Sequence, residues 1–318
     1  MNLPALLPRP SGATLVAVAL ALLCGGIARP AETQAQVQAP APAPTIPAAP
    51  AAGPGGASRV EENTGPNTTI VRRASGTYRY ETLGGGRVRG EERFQLLVHP
   101  DGTRTMLMWH DLAARNAQFT VVLRNDAQLR PLEAFVSYWN GGRFKGSAHF
   151  LVEGTRLTAQ ASGPAGVVPQ ATVVPPWFSI GTHPVAADGW HTAGFDAARD
   201  GEQVSTLYSL EAGTDPMKPV LGTLVPLKLE RLGDETVEVP AGRFAATHWR
   251  IAGVNDLWVV GPDRLVVKSV IPARDLQYLL VEADGALREA ALPAAAPTVA
   301  PASPSASGRS APPSNTRR

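Results

Sequence analysis

Short stretches of alternating apolar and polar residues, separated by turn residues at close and regular spacing, constrain the fold of this chain more than any other feature. Phe94, Leu96 and Val98 alternate with residues of the opposite face, and the sequence His-Pro-Asp-Gly at 99–102 follows them. Proline fits the first central position of a type I turn, and glycine fits the left-handed position after it. Because a strand sends successive side chains to opposite faces, this pattern predicts an antiparallel hairpin.

Two further hairpins are predicted from the same kind of signal. Val-Pro-Ala-Gly at 239–242 joins two strand-like stretches, and Asn-Gly-Gly at 140–142 joins residues 132–139 to residues 144–152. In this last stretch alternation predicts Phe144 on the same face as the other apolar residues and Lys145 on the opposite, polar face. Similar stretches follow one another as far as residue 282.

The predicted fold class is mainly β. We expect one large curved antiparallel sheet of about a dozen strands, a half-barrel or open barrel, with one short helical or irregular insertion. The sequence shows no alternation of strands with helices and no internal repeat of fixed period. Two segments depart from the strand pattern. Residues 108–117 fit one helical turn, and residues 184–199 fit a helix.

The insertion at 184–199 fits a helix that depends on tertiary packing. Pro184 suits the first helical position, and Thr182 or His183 could cap it. Gly189 and Gly194 each cost about 1 kcal/mol relative to alanine in a helix interior.

Composition divides the chain into four segments. The apolar run at 13–24 has the length of a signal-peptide core and is shorter than the roughly 20 residues that span a bilayer. We therefore expect export and no transmembrane segment in the mature chain. The only cysteine, Cys24, follows Leu23, and a lipid-anchored cysteine would need a small residue there. The predicted segments are a signal peptide at 1–28 with cleavage as late as 35, a disordered Ala/Pro-rich linker at 36–69, a single β domain at 70–291 and a disordered Pro/Ala/Ser tail at 292–318.

The charge distribution argues against a nucleic-acid partner. The formal net charge of +2 includes five arginines outside residues 30–292, so that segment carries a net charge of −3. Binding to nucleic acid needs a basic face for the phosphates, and the β segment shows no basic cluster with interleaved aromatic residues.

The stretch from Pro175 to His191 concentrates two of the six tryptophans and two of the six histidines. In a helix, Asp188 and His191 lie three residues apart on one face, and a carboxylate beside an imidazole can orient it as a general base. With His183 the three side chains are candidate catalytic residues. We predict no metal, because their spacing matches no established metal signature, and no cofactor.

The same stretch also fits a lid over an apolar face. Ligand sites are mostly apolar with few polar groups, and an open half-barrel has an apolar concave face. Simple packing of these aromatic residues into the core, with the histidines half-exposed at the rim, is the alternative. The predicted ligand-binding residues are Trp177, Phe178, Ile180, Trp190 and Phe195.

Three segments resemble one envelope family. Residues 235–244 (ETVEVPAGRF), residues 256–259 (DLWV) and residues 261–267 (GPDRLVV) are similar to the C-terminal half of the family called domain of unknown function 3108. The resemblance implies an exported antiparallel sheet, similar to half-barrels that carry lipoproteins or lipids across the periplasm. It implies no catalytic residues.

Other motifs carry less information. Trp109-His110-Asp111 places an imidazole beside a carboxylate, but neighbouring residues of a strand point to opposite faces, and we predict a surface turn there. The chain contains neither G-x-S-x-G nor H-E-x-x-H.

The sequence favours an exported, non-enzymatic protein of the periplasm or outer envelope. We expect it to bind an apolar small molecule, a lipid or a lipid-anchored envelope partner on the concave face. The alternative is an exported hydrolase or isomerase that uses His191, Asp188 and His183.

Overall fold

The computed structural model describes residues 69–293. The predicted signal peptide, and all but the margins of the predicted linker and tail, lie outside the described residues. The strands are β1 (Arg72–Thr82), β2 (Val88–Val98), β3 (Arg104–Leu112), β4 (Ala117–Asn125), β5 (Pro131–Asn140), β6 (Arg143–Glu153), β7 (Arg156–Gly163), β8 (Gly166–Val173), β9 (Ser179–Gly181), β10 (Gln203–Leu210), β11 (Gly222–Val239), β12 (Gly242–Ile251), β13 (Asn255–Val260), β14 (Leu265–Ile271), β15 (Leu276–Gly285) and β16 (Ala291–Leu292).

These sixteen strands form one sheet, which confirms the predicted mainly β, antiparallel fold class. Strands β1 to β8 pair in chain order, strands β10 to β15 also pair in chain order, and the pairing of β1 with β15 joins the two series. The short strand β9 pairs parallel to β10, and β16 pairs with β12. The sheet has more strands than the dozen expected, and its path ends at β8 and β9 without closing.

The two ends of this path approach each other. Gln170 on β8 donates from Nε2 to the carbonyl oxygen of Gly222 on β11 at 3.0 Å, and its Oε1 accepts a hydrogen bond from the hydroxyl of Tyr208 on β10. Strands that are far apart in the pairing order therefore contact each other through side chains. The sheet is curled into an open barrel-like shape, with an apolar inner face and a largely polar outer face.

The predicted hairpins form, with one correction to the faces of β6. The turns at 99–102, 140–142 and 239–242 join β2 to β3, β5 to β6 and β11 to β12. The strand register shifts between Tyr138 and Trp139, opposite a glycine at position 146 with φ of +148°. This bulge turns Phe144 outward and Lys145 inward, so the prediction from simple alternation was wrong for these two residues. Lys145 is buried and donates to the carbonyl oxygens of Asp215 and Lys218 at 2.9 and 3.0 Å.

The helical insertion is shorter and tighter than the sequence suggested. It is a 3-10 helix at Val185–Gly194 with no side-chain cap, so the prediction of a helix over 184–199 capped by Thr182 or His183 was wrong in extent and capping. The predicted turn within 108–117 is a 3-10 turn at Ala113–Arg115. A second lies at Pro272–Arg274, and the α-helix α1 covers Ala286–Glu289. Within residues 69–293, no helix is both long enough and apolar enough to cross a membrane.

Gly189 explains why this insertion lies so close to the sheet. A Cβ atom at this position would lie 2.0 Å from the carbonyl oxygen of Arg264, a distance that two such atoms cannot adopt. Only glycine allows the backbone to approach the turn between β13 and β14 in this way. The same residue that weakens a helix in the sequence is therefore required by the packing.

Candidate functional site

The inner face of the sheet is covered by residues 182–194, here called the plug. They lie in the connection between β8 and β10 and include the 3-10 helix. Val185, Ala186, Ala187 and Trp190 of the plug are buried in the same core cluster as the aromatic residues of the inner face. The plug takes the position that a second layer of secondary structure takes in many β proteins.

One buried carboxyl group holds the start of the plug. Glu92 on β2 is fully buried, and its two oxygens accept the backbone N–H groups of Val185 and Ala186, both at 2.8 Å. Burial raises the pKa of Glu92 from 4.5 to about 8, against the opposing effect of these two hydrogen bonds, and the nearby charge of Asp188 raises it further. At neutral pH Glu92 therefore retains its proton.

His110 lies beside Glu92 in the same buried region. Its Nδ1 is 3.4 Å from Oε2 of Glu92, in an orientation that forms no hydrogen bond, and neither ring nitrogen has a hydrogen-bond partner among residues 69–293. Burial lowers the pKa of His110 well below 6.5, and His183 and Arg115 lower it further. The ring is thus neutral at pH 7, with two polar atoms left unpaired.

His183 enters the plug with a strained backbone. Its φ of +81° is uncommon for a residue with a side chain. The ring stacks on Phe119 of β4, with centroids 4.2 Å apart, and lies 5.4 Å from the ring of His110. Burial lowers the pKa of His183 from 6.5 to about 4. Part of the residue is exposed, but Nδ1 is buried without a hydrogen-bond partner among the described residues.

The predicted pair of Asp188 and His191 does come together. Oδ1 of Asp188 lies 3.3 Å from Nε2 of His191, as expected for residues three apart in a 3-10 helix. Asn255 lies 3.4 Å from the other oxygen of Asp188 and donates to Ser269 on β14 at 3.1 Å. His191 is buried, so the prediction that the histidines lie half-exposed at the rim was wrong for this residue.

The three candidate catalytic residues do not form one cluster. His191 pairs with Asp188, whereas His183 stacks on Phe119 and faces His110. Residues 69–293 contain no group of three histidine, cysteine or carboxylate side chains placed to hold a metal ion. The plug therefore takes part in two separate histidine sites, His191 with Asp188 and His183 with His110, and the three candidate residues form no catalytic triad.

The five predicted ligand-binding residues are packed, to different degrees, where the plug meets the sheet. Phe178, Ile180 and Trp190 are buried, and Trp177 and Phe195 are partly buried. The ring of Phe195 packs edge-on against Trp249, with centroids 4.9 Å apart. These residues therefore seal the plug against the inner face, and their role toward a ligand stays a prediction.

The other end of the plug is fastened at the turn between β13 and β14. Trp190 donates from Nε1 to the carbonyl oxygen of Asp263 at 2.9 Å, and Arg264 donates to the hydroxyl of Thr192 at 2.7 Å. The carboxylate of Asp263 accepts hydrogen bonds from Arg72 and Arg104. Burial opposes the ionisation of Asp263, but these two arginines outweigh it and lower the pKa of the carboxyl group.

We predict that Trp190→Phe lowers the free energy of unfolding by about 1–2 kcal/mol. The change removes the hydrogen bond to Asp263 and leaves that carbonyl oxygen buried without its donor, while most of the ring packing remains. Urea unfolding followed by far-UV circular dichroism measures the effect. Trp109→Phe on the outer face is the control and should change stability by less than about 0.5 kcal/mol. Equal effects of the two changes would show that the Trp190 hydrogen bond does not stabilise the plug.

Sequence reasoning missed Glu92 and His110, although a signal for both was present. Glu92 falls in the same alternating register as Phe94 and Leu96, and His110 in the same register as Met108. A titratable residue on the apolar face of an alternating strand indicates a buried polar site. The predicted surface turn at Trp109-His110-Asp111 was wrong, because all three lie in β3, with His110 inward and its two neighbours outward.

Comparisons with known proteins found solved structures of low sequence identity and low TM-score. No protein-family model and no curated protein sequence matches the chain. A β-barrel-like protein of domain of unknown function 1849 from Brucella abortus has 8% identity and a TM-score of 0.45, covering 68% of this chain and 99% of that chain. A protein of domain of unknown function family 1089 from Pseudomonas aeruginosa has 13% identity and a TM-score of 0.36, covering 57% and 89%. A protein with a YmcC-like fold from Bacteroides fragilis has 12% identity and a TM-score of 0.24, covering 66% and 95%. We draw no functional argument from TM-scores this low.

Proposed function

We propose that this protein is an exported, non-enzymatic binding protein of the periplasm or outer envelope. Its inner face would accept an apolar small molecule, a lipid or a lipid-anchored partner when the plug moves aside. The observation that carries the proposal is that an apolar inner face is covered by a short connection of the same chain, attached through a few polar contacts. The resemblance to domain of unknown function 3108 agrees with it.

The surfaces beneath the plug suit an apolar ligand. Phe119 and Tyr138 of the inner face lie edge to face, with centroids 4.7 Å apart, and the ring of Tyr138 donates its hydroxyl to the carbonyl oxygen of Thr182. Tyr80 and Tyr278 are stacked at 4.5 Å nearby. A ligand that displaced the plug would regain apolar contacts with the inner face at about 25 cal/mol per Å² of buried surface.

The closed plug leaves several buried polar atoms without partners, which favours a plug that can be displaced. They include both ring nitrogens of His110, Nδ1 of His183, Nδ1 of His191 and the hydroxyl of Thr182, none of which has a hydrogen-bond partner among residues 69–293. An unpaired buried polar group costs about 1–3 kcal/mol. The closed arrangement is therefore less stable than its apolar packing alone would make it, and opening it costs correspondingly less.

The enzyme alternative has weaker support. The candidate base His191 is buried, as are the neighbouring Glu92 and His110, and a general base must lie within hydrogen-bond reach of the proton that it removes. The third candidate, His183, lies apart from the pair of Asp188 and His191. Opening of the plug would be needed before the buried Glu92, His110 or His191 met a substrate.

Gly189→Ala is expected to increase the affinity for an apolar probe. The added Cβ cannot coexist with the carbonyl oxygen of Arg264, so the change destabilises the closed plug. Apparent affinity rises as the binding-competent fraction rises, by tenfold for each 1.4 kcal/mol. Fluorescence titration with the polyene fatty acid cis-parinaric acid measures it, and we expect at least a tenfold gain.

Gly213→Ala is the matched control, because its Cβ would meet only the movable carboxylate end of Glu211. This variant should bind the probe like the wild type. Organic extraction of protein purified from its own envelope, followed by mass spectrometry, gives a second readout, in which we expect a lipid. Absence of probe binding by both the wild type and a folded Gly189→Ala variant, together with an extract free of lipid, would contradict the proposal.

A further inference from the structure

A polar and aromatic groove crosses the outer face of the sheet, on the side opposite the plug. A depression of about 540 Å³ is lined by Glu91, Arg93, Trp109, Asp111 and Gln118. A second depression of about 290 Å³ shares Asp111 and Gln118 and continues to Trp139. We call the six residues Glu91, Arg93, Trp109, Asp111, Gln118 and Trp139 the outer groove.

The strand register aligns the floor of the outer groove across neighbouring strands. Glu91 of β2 pairs with Asp111 of β3, which pairs with Gln118 of β4. Gln118 pairs with Trp139 of β5, and Trp139 pairs with Phe144 of β6. Because strands lie about 4.8 Å apart, this row covers about 19 Å from β2 to β6. The bulge that turned Phe144 outward extends the row by one aromatic residue.

Trp139 lies in this row after Gln118, and Trp109 lies beside the row, two residues from Asp111 on β3. Trp109 and Trp139 are 45% and 47% exposed, which is unusual for the largest apolar side chain. From their register, two strands and two residues apart, their Cα atoms are about 12 Å from each other. Phe144 packs against Trp139, with ring centroids 5.4 Å apart, and holds that indole in place. The groove thus presents two exposed indole rings next to polar side chains, and one of the two indoles is packed against a second aromatic ring.

Glu91 and Arg93 of the outer groove pair with each other at 2.9 Å, but its other polar side-chain groups make no polar contact among the described residues. Neither the carboxylate of Asp111, the amide of Gln118 nor the two indole N–H groups form a hydrogen bond with any of residues 69–293. A carboxylate only accepts hydrogen bonds, an indole N–H only donates, and an amide does both. A ligand that satisfies all of them must carry groups that both donate and accept, which hydroxyl groups do.

From this arrangement we propose that the outer groove is a binding site for an oligosaccharide. Sugar rings present C–H groups on one face and hydroxyl groups around the edge. The C–H groups carry partial positive charge and suit the negative faces of the two indoles. The hydroxyl groups suit Asp111 and Gln118. A hydrocarbon chain in the groove would instead bury these two polar side chains without partners, at a cost.

The proposal is tested by binding the full-length protein to a glycan array with neutral, amino and acidic oligosaccharides. Isothermal titration calorimetry then measures the affinity for the best-bound oligosaccharide. Trp139→Ala and Gln118→Ala should each weaken binding at least tenfold. Phe135→Ala is the matched control, because Phe135 lies on the same face of β5 and is 45% exposed but lines neither depression. It should change affinity less than twofold.

Two results would overturn the oligosaccharide site. One is that no glycan on the array binds the wild-type protein above the level of the Trp109→Ala/Trp139→Ala double variant. The other is an affinity for the best glycan that Trp139→Ala and Phe135→Ala reduce equally. The plug variant Gly189→Ala should bind the glycan like the wild type, so failure of this site and failure of the inner-face proposal are distinguishable.

Discussion

Asp263→Ala is expected to lower the free energy of unfolding by about 3 kcal/mol, because it leaves the charge of a buried arginine uncompensated. The Asp263 carboxylate lies 2.9 Å from Nε of Arg104, whose side chain is also buried. It accepts two hydrogen bonds from Arg72 at 2.7 Å. Breaking a buried ion pair from one side costs about 3–5 kcal/mol. The lower value applies here because the partly exposed Arg72 can regain water.

The same substitution should loosen the plug. Asp263 connects β1, β3 and the turn whose carbonyl oxygen accepts the hydrogen bond from Trp190. Urea unfolding gives the loss of stability, and amide hydrogen exchange of residues 185–194 gives the loosening. We expect Asp263→Ala to increase the exchange rate more in this segment than in strands β5 and β6.

Two variants separate the ion pair from a general effect of losing a carboxylate. Asp263→Asn keeps the shape and part of the hydrogen bonding, so it should cost less than Asp263→Ala. Asp234→Ala removes an exposed carboxylate that pairs with Arg231 at 2.6 Å, and should cost less than about 1 kcal/mol. A loss for Asp263→Ala no larger than that for Asp234→Ala would show that the buried pair is not a stabilising contact.

The fold class could be predicted from the sequence because strands and hairpin turns are specified by residues close together in the chain. Alternation fixes which side chains of β2 and β3 face inward, and Gly102 and Gly242 lie in the turns that join neighbouring strands. A meander pairs strands that are neighbours in the chain, so each hairpin prediction also gives a strand pairing. The junction of β1 with β15 joins residues about 200 positions apart, and no local signal specifies it.

The face of Phe144 was mispredicted for a related reason. Alternation holds only while the register is unbroken, and the bulge at Gly146 inserts one residue. The sequence contained a glycine there, but a glycine inside a strand can also mark a tight bend or a close backbone approach, so it does not by itself specify a bulge. The bulge also affects the neighbouring strand, because the outward ring of Phe144 packs against Trp139 in the outer groove.

The candidate site was predicted only in part. The pair of Asp188 and His191 follows from spacing within one segment, and the structure brings the two side chains together. The contact of Glu92 with Val185 and Ala186 joins residues more than 90 positions apart. Neither segment contains a sequence signal that predicts contact with the other. Sequence reasoning therefore found the residues of the plug and missed the residues that hold it.

Stability should be greatest near pH 6.5, because the two buried histidines outweigh the one buried acid below this value and only the acid titrates between it and pH 8. Glu92 has its pKa raised from 4.5 to about 8 in the fold, so between these values the folded protein keeps a proton that the unfolded chain releases. The contribution of Glu92 to stability therefore falls as the pH rises from 4.5 toward 8. His183 has its pKa lowered from 6.5 to about 4, so stability falls as the pH drops through that interval, and His110 acts in the same direction.

Glu92→Gln should remove the alkaline part of this profile, and His183→Asn should reduce the acidic part. Asparagine tolerates the positive φ at position 183, so that change removes the titrating group without adding backbone strain. Each fully expressed titration changes the free energy of unfolding by on the order of 1 kcal/mol per pH unit. Urea midpoints measured from pH 4 to pH 9 give the slopes, which do not depend on any constant loss of stability in a variant. An unchanged alkaline slope in Glu92→Gln would mean that Glu92 is already ionised in the folded protein. The plug would then be held by a carboxylate that accepts two backbone hydrogen bonds, and not by a neutral acid.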